Sequence, residues 1–427
     1  MKNKIIILTL LFTSYSSFLQ AQCGTYEYEN YLKKKFPGFG EALDKTREES
    51  HKSSKLLYKA DDQTIYYIPV VFHILWNTPE LNIHDSLIYS QIKALNEAYN
   101  HNHKDTGKVR SVFKPVVGNA RIVFYLAKKD PEGKPTNGIN RVKTKKSDFG
   151  DNFGQAESVK FTSEGGSDAW NPNKYLNIWV CRFTYQGYLL TAAYGFPPIN
   201  AKFWNSQFYK DIDLHGVVIN YQFVGVKNPY DGLSSSIREK TLVHEIGHYL
   251  GLRHIWADKN KTCNGDDDGF KDTPFCSIAS SNCVANKNSC YEGSGDKPDM
   301  YENYMDYTPY PCTVMFSKEQ ANQMRWNLVN LRPEVGTTSI DNSIPASEFV
   351  NINPNPASSF LNVNLDKKGN YLIKITNIVG QPIVEQNFSI SDNFRYKFNC
   401  ETLSSGVYYI KVFYENQKAL SQKFIIQ

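Results

Sequence analysis

Long apolar stretches are missing from this sequence. The apolar run Ile5 to Phe12 is far short of the about 20 residues that cross a bilayer as a helix, and no other stretch is long and apolar enough to span. A block of Lys or Arg is missing too. Its 48 basic and 43 acidic residues leave a net charge of +5 over 427 residues, which gives no footprint for nucleic acid or an anionic membrane. There is no internal repeat, no low-complexity tract, and no nucleophile-elbow pattern, so a solenoid, a disordered scaffold and a serine hydrolase are all disfavoured. What remains is a globular composition, 41% hydrophobic and 21% charged, long enough for two or three folded units.

The amino terminus has the layout of an export signal. Lys2 and Lys4 precede the apolar run, and polar and small residues lead to Leu19-Gln20-Ala21, so residues 1–21 read as a signal peptide cut after Ala21. Cys23 is not preceded by the small residue of a lipoprotein cleavage site. The mature chain is therefore expected to be secreted or displayed at the cell surface, with no transmembrane segment. Of eight cysteines, Cys263, Cys276, Cys283, Cys290 and Cys312 crowd into one segment, where disulfides are expected in an exported protein. Sequence alone does not fix their pairing, and an odd number leaves at least one to pair elsewhere or stay free.

Residues 22–62 are polar and Lys/Glu-rich, with a short helical pattern from Glu41 to Leu57 and too little apolar matter for a core. They read as a pro-segment. Residues 63–335 alternate strand and helix patterns. A strand runs from Ile68 to Leu75, then a helix carries Leu87, Ile88, Ile92, Leu95 and Tyr99 on one stripe behind a capping Asp85. Further strands are Ala120 to Leu126, Tyr175 to Phe183 and Val217 to Phe223, an α/β (α+β) pattern. A helix from Ser236 to Leu250 should stop at Gly251, because glycine readily takes the left-handed conformation that ends a helix. A Cys- and Asp-rich irregular stretch follows to Met300, then a tight turn at Asn303 to Tyr307, and a last helix opens at Ser317 with Gln320 completing a capping box. Residues 336–350 have linker composition, and the short alternating segments of 351–427 predict an all-β sandwich.

The chemistry lies on the helix before Gly251. In His244-Glu-Ile-Gly-His248 the histidines are four residues apart, so both imidazoles project from one helical face and can grip one zinc ion. Glu245 then points to the flank of that metal, where it can take a proton from a zinc-bound water and return it to the leaving amine. Five residues alone are also compatible with two surface histidines and a solvated glutamate. Tyr249-Leu250-Gly251-Leu252-Arg253-His254 extends the match to the full H-E-x-x-H-x-x-G-x-x-H pattern, in which Gly251 turns the chain and His254 returns as a third ligand. Downstream, Met305 sits in Asn303-Tyr-Met-Asp-Tyr307. Taken alone, a methionine in a turn reads equally as a core filler, and Tyr307 as a half-buried aromatic or as a hydroxyl donor to a reaction oxyanion.

Together these residues resemble the metzincin clan of zinc proteases, and within it the pappalysin family, including its ulilysin-like and cytophagalysin-like members. The likeness rests on Ile68-Pro-Val-Val-Phe-His73, Leu176-Asn-Ile-Trp-Val180, Gly216-Val-Val-Ile-Asn-Tyr221, the His244 to Trp256 stretch and Asn303 to Tyr307. It implies a twisted mixed sheet over an active-site helix, endoproteolysis of protein or peptide substrates, and a methionine turn at Met305. It also implies structural calcium, for which Asp268, Asp272 and Thr273 are the candidates; a solvated acidic loop is the plain alternative. It pairs Cys263 with Cys290 and Cys283 with Cys312, leaving Cys276 unassigned and Cys181 as a core thiol. Family members that cut before Arg or Lys carry an aspartate where this chain has Tyr310, so strict basic specificity is not expected. Cys23-Gly24-Thr25 resembles the family's cysteine switch, in which a thiolate takes the fourth zinc position; a disulfide or a spare thiol is the alternative. Asn353-Pro-Asn-Pro-Ala-Ser358, Leu403 to Ile410 and the closing Lys423-Phe-Ile-Ile-Gln427 resemble the sorting domain of the type IX secretion system, against the alternative of a carbohydrate-binding or spacer sandwich. The rival to a protease is a catalytically dead, zinc-stabilised adhesin, which would need neither Glu245 nor Tyr307.

Overall fold

The computed structural model describes residues 22–57, 63–150, 152–184, 191–204, 212–230, 238–256, 258, 263, 268–309, 311–337, 350–365, 368–378, 381–392, 394–414 and 417–427. The expected leader at 1–21, most of the expected linker, Asp266, Asp267 and Tyr310 lie outside the described residues.

In chain order the first unit contains β1 (Gln22–Cys23), α1 (Thr25–Lys35), α2 (Phe39–Leu57), β2 (Tyr66–Trp76), α3 (Asp85–Tyr99), β3 (Ile122–Leu126), β4 (Ile139–Lys143), α4 (Phe153–Ala156), β5 (Leu176–Cys181), β6 (Thr191–Gly195), β7 (Val217–Asn220), α5 (Arg238–Tyr249) and α6 (Lys318–Leu331). The strands form one mixed sheet ordered β1-β6-β7-β5-β2-β3, with β4 also on β2. The eleven-residue β2 serves two neighbours on one edge: its first half pairs with β3 and its second half with β4, both parallel. Only β6 runs against its neighbour β7, and the two-residue β1 lies parallel to β6.

Side chains alternate across a strand, so each strand feeds two faces. Ile68, Val70, Phe72 and Ile74 of β2, Ile178 and Val180 of β5, and Val217 and Ile219 of β7 pack with Leu95 of α3 and with Leu242 and Ile246 of α5. The intervening Leu75, Trp179, Cys181 and Val218 face the other way. They meet Tyr194 and Phe196 together with Tyr28, Leu32, Phe39, Ala42 and Leu43 from the amino-terminal segment. That segment was expected to hold one short helix and too little apolar matter for a core. It holds two helices, and its apolar residues are buried because the sheet supplies the other half of the core.

Other expectations need adjustment. Strands β4 and β6 were not foreseen, and the cap of α3 is His84, whose ring accepts the Ser86 N–H. Asp85 instead lies in the first turn, paired with Arg141, where a negative charge suits the helix dipole. The capping box of α6 is present, with Ser317 and Gln320 exchanging hydrogen bonds with each other's backbone. Both disulfides implied by the family likeness are formed, Cys263 with Cys290 and Cys283 with Cys312. Cys181 and Cys276 are buried free thiols.

The carboxy-terminal unit contains β8 (Val350–Asn353), β9 (Phe360–Leu365), β10 (Gly369–Asn377), β11 (Pro382–Ile390), β12 (Phe394–Asn399), β13 (Gly406–Tyr414) and β14 (Gln417–Ile426). They make an antiparallel four-stranded sheet, β11-β10-β13-β14, and a three-stranded one, β12-β9-β8. The strands alternate inward and outward, and Leu361, Val363, Ile373, Ile375, Ile410 and Phe424 fill the core between them. Among the described residues, no helix is long and apolar enough to cross a membrane.

Candidate active site

Helix α5 delivers His244, Glu245 and His248, and its end is built to bring back His254. Gly251 adopts φ +96°, and the N–H groups of Gly251 and Leu252 return to the carbonyls of His248 and Gly247, the double bond that closes a helix in a Schellman turn. The Asn327 amide of α6 donates to the Leu250 carbonyl at 2.7 Å, satisfying another terminal acceptor.

The three histidines fit a zinc ion. Each Nδ1 lies against an oxygen: Tyr304 O at 2.7 Å for His244, Leu252 O at 2.8 Å for His248, and Asp258 Oδ1 at 2.5 Å for His254. A ring that donates through Nδ1 presents a bare Nε2 lone pair. The three Nε2 atoms lie only 3.0 to 3.1 Å apart, an arrangement in which lone pairs face one another and which a cation relieves. Burial, reinforced by the neighbouring His254, holds His244 down to about 3, so it stands as the neutral imidazole a metal needs. The Cys23 sulfur completes the cluster, with all four ligand atoms within 4.8 Å of one another. Among the described residues no other group of three such side chains converges in this way.

Glu245 is wholly buried. Its Oε2 accepts the Thr25 hydroxyl at 2.8 Å, while Oε1 has no hydrogen-bond partner. Burial pushes this carboxyl up to about 7, against the lowering effect of its hydrogen bonds to Cys23 and Thr25. Thr25 in turn accepts the Gly195 N–H at 2.8 Å, and Gly24 donates to Ala193 O at 2.8 Å. The Tyr307 hydroxyl donates to the Cys23 carbonyl at 3.4 Å. One tripeptide thus touches the histidine cluster, the glutamate and the tyrosine.

Met305 lies directly under α5. A Cβ built on Gly247 would meet the Met305 sulfur at 2.5 Å, so this methionine packs as it does against a helical position that has no side chain. The same holds for Gly195, whose Cβ would meet Glu245 O at 2.7 Å; this glycine lets β6 close on the helix. Sequence reasoning passed over both glycines, and also Trp256 and Asp258. The Trp256 ring stacks flat on His254, with centroids 4.3 Å apart, and Asp258 fixes the His254 tautomer. An aspartate four residues past the last histidine was the available signal.

The calcium candidates are less gathered. Asp268 is buried and accepts the Thr273 hydroxyl at 2.8 Å. Asp272 turns instead to the start of α6, taking the Ser317 hydroxyl at 2.7 Å and the Glu319 N–H at 2.9 Å.

Three histidines around one point, a glutamate beside them, a methionine turn below and a mixed sheet above define a zinc endopeptidase of the metzincin type. Comparison with known proteins narrows this. The family description of pregnancy-associated plasma protein-A matches residues 162–329, and that of a secretion-system C-terminal sorting domain matches 351–427. Mature mirolysin of Tannerella forsythia, solved with a cleaved peptide, is 35% identical with a TM-score of 0.54, covering 64% of this chain and 96% of its own. A promirolysin variant from the same organism is 32% identical with a TM-score of 0.59, covering 74% and 96%. An extracellular metalloprotease of Arthroderma gypseum is 28% identical over 258 residues, 60% of this chain and 71% of its own length. The chain belongs to the pappalysin family of metzincin metalloproteases, and it is a secreted zinc endopeptidase.

Proposed function

We propose that His244, His248 and His254 hold the zinc, that Glu245 is the general base and acid, and that Tyr307 steadies the oxyanion. Zinc held there supplies a Lewis acid that polarises the scissile carbonyl and lowers the pKa of water. Glu245, one residue after His244, takes the proton of the attacking water and hands it to the departing amine. The Tyr307 hydroxyl donates to the oxygen that gains charge. Met305 and Gly251 position these groups.

In the same reading, residues 22–62 are a pro-segment and Cys23 is its zinc ligand. The observation that carries this is the Cys23-Gly24-Thr25 tripeptide: its sulfur completes the histidine cluster, its threonine hydroxyl occupies Glu245, and its cysteine carbonyl takes the tyrosine hydroxyl. The greater share of this chain covered by promirolysin than by the mature form supports it. We also propose that 1–21 is a signal peptide, that 351–427 hands the chain to type IX secretion machinery, that Asp268, Asp272 and Thr273 bind calcium, and that Tyr310 removes a strict preference for Arg or Lys.

The deciding experiment is digestion of casein and a mixed peptide library after removal of the pro-segment, wild type against Glu245→Ala, with zinc measured in both. The expected result is a loss of about 10²- to 10⁴-fold in the variant with zinc retained, cut sites without a basic requirement, and thermal stability raised by added calcium. Wild-type protein that holds zinc and cuts nothing would make the chain a binding protein.

A further inference from the structure

The sheet face turned away from α5 holds two charged groups that the chemistry above does not use. Lys160 is 1% exposed, with its ammonium 5.1 to 6.0 Å from the ring centroids of Tyr28, Trp179, Tyr194 and Phe196. It donates to the Tyr28 oxygen at 3.1 Å and to Leu214 O at 2.8 Å. Glu157, also buried, accepts the Tyr28 hydroxyl at 2.8 Å, the Tyr31 hydroxyl at 3.1 Å and the Lys35 ammonium at 2.6 Å. All three of those partners belong to the amino-terminal segment.

Once that segment leaves, a carboxylate and an ammonium stand at the base of an aromatic-lined hole, the carboxylate stripped of these donors. Desolvated charges without partners are strongly unfavourable, and a cage of rings is poorly filled by water. A phenol answers both needs at once: its hydroxyl donates to the carboxylate and accepts from the ammonium while its ring fills the cage. A phenylalanine fills the cage but gives the carboxylate no donor and leaves the ammonium only the Leu214 carbonyl. Tyr194 sits on β6 beside Gly195, so one strand has the zinc site on one side and this pocket on the other.

We propose that Glu157, Lys160, Trp179, Tyr194, Phe196 and Leu214 form a tyrosine-binding pocket distinct from the zinc cleft, filled by Tyr28 in the latent chain and open to the tyrosine of a peptide ligand afterwards. This rests on 22–62 being a removable pro-segment.

The test starts from the folded full chain, cut within 58–62 by limited proteolysis and freed of the released segment by sizing chromatography. Synthetic 22–57 peptides, all carrying Cys23→Ser to remove the sulfur, are titrated by fluorescence anisotropy. The Tyr28 peptide should bind about ten- to a hundredfold more tightly than its Tyr28→Phe counterpart, as expected for a hydrogen bond to a buried charge. That ratio should fall below about threefold on enzyme bearing Glu157→Gln, the signature of a direct coupling. Lys160→Met, which keeps the stem and drops the charge, is the independent variant should the first not fold. N-acetyl-tyrosinamide should displace the Tyr28 peptide where N-acetyl-phenylalaninamide does not. Equal affinities, a tyrosine preference that survives Glu157→Gln, or failure of N-acetyl-tyrosinamide to compete would each overturn the proposal. Casein fragments with and without tyrosine separate the two sources: a KM lowered by tyrosine only while Glu157 is intact assigns the pocket to substrates, and an unchanged KM assigns it to the returning pro-segment. A cut chain that gains no activity on casein sinks the pro-segment reading instead, and the binding ratios are read independently of activity.

Discussion

The two faces of the catalytic sheet are built from different sources. The face under α3 and α5 is filled by residues of 66–335 alone, whereas the opposite face is completed by Tyr28, Leu32, Phe39, Ala42 and Leu43 from the amino-terminal segment. The first face carries the proposed zinc site. In the proposed reading of residues 22–62 as a pro-segment, the second face is a core with a detachable part, and latency would then involve shared packing as well as the Cys23 sulfur at the histidine cluster. A cut between α2 and β2 severs the chain, and release of the segment then requires those buried contacts to be given up.

The largest break in the comparison is expected from Ile246→Ala on α5. Truncating this fully buried residue should cost about 2–5 kcal/mol in both latent and activated protein, read from urea unfolding. Leu32→Ala, equally buried, should cost about as much in the latent chain and nothing in the activated one. Equal losses in both forms would erase the distinction between the faces. Asp258→Asn should weaken zinc binding by about 10- to 100-fold, measured by chelator competition, because His254 loses the partner that orients it. Ser317→Ala, at the start of α6, should cost about 1 kcal/mol in either form. Alongside these, Cys23→Ser in the full chain should raise activity on casein before any cut, since the sulfur leaves the cluster while the packing of α1 stays.

The legible parts of this protein are those whose signal is local. The spacing of His244, His248 and His254, with a glycine that must take a positive φ between them, encodes its own geometry. So does the Ser317 and Gln320 capping box. Strand β6 was not legible, because Thr191-Ala-Ala-Tyr-Gly195 lacks branched apolar residues; its small side chains answer to the closeness of α5, which no local pattern reveals. Strand β4 shows only a weak alternation, with Ile139 its one buried residue. Helix α1 reads as a charged stretch because its few buried side chains find their partners over a hundred residues away, as Tyr28 does in Glu157. Asp258 was marked only by its place four residues past His254, a spacing that gains meaning once its carboxylate is seen against the His254 ring.

Gly247 and Met305 touch neither metal nor substrate, yet their contact sets a tolerance for the whole centre. The turn that Met305 anchors also presents Tyr304 O to His244 and carries Tyr307. A methyl group added at position 247 would meet the buried Met305 sulfur at 2.5 Å, so the methionine side chain beneath the histidines would have to shift. The alignment of the site is therefore governed in part by a residue whose contribution is the space it leaves free.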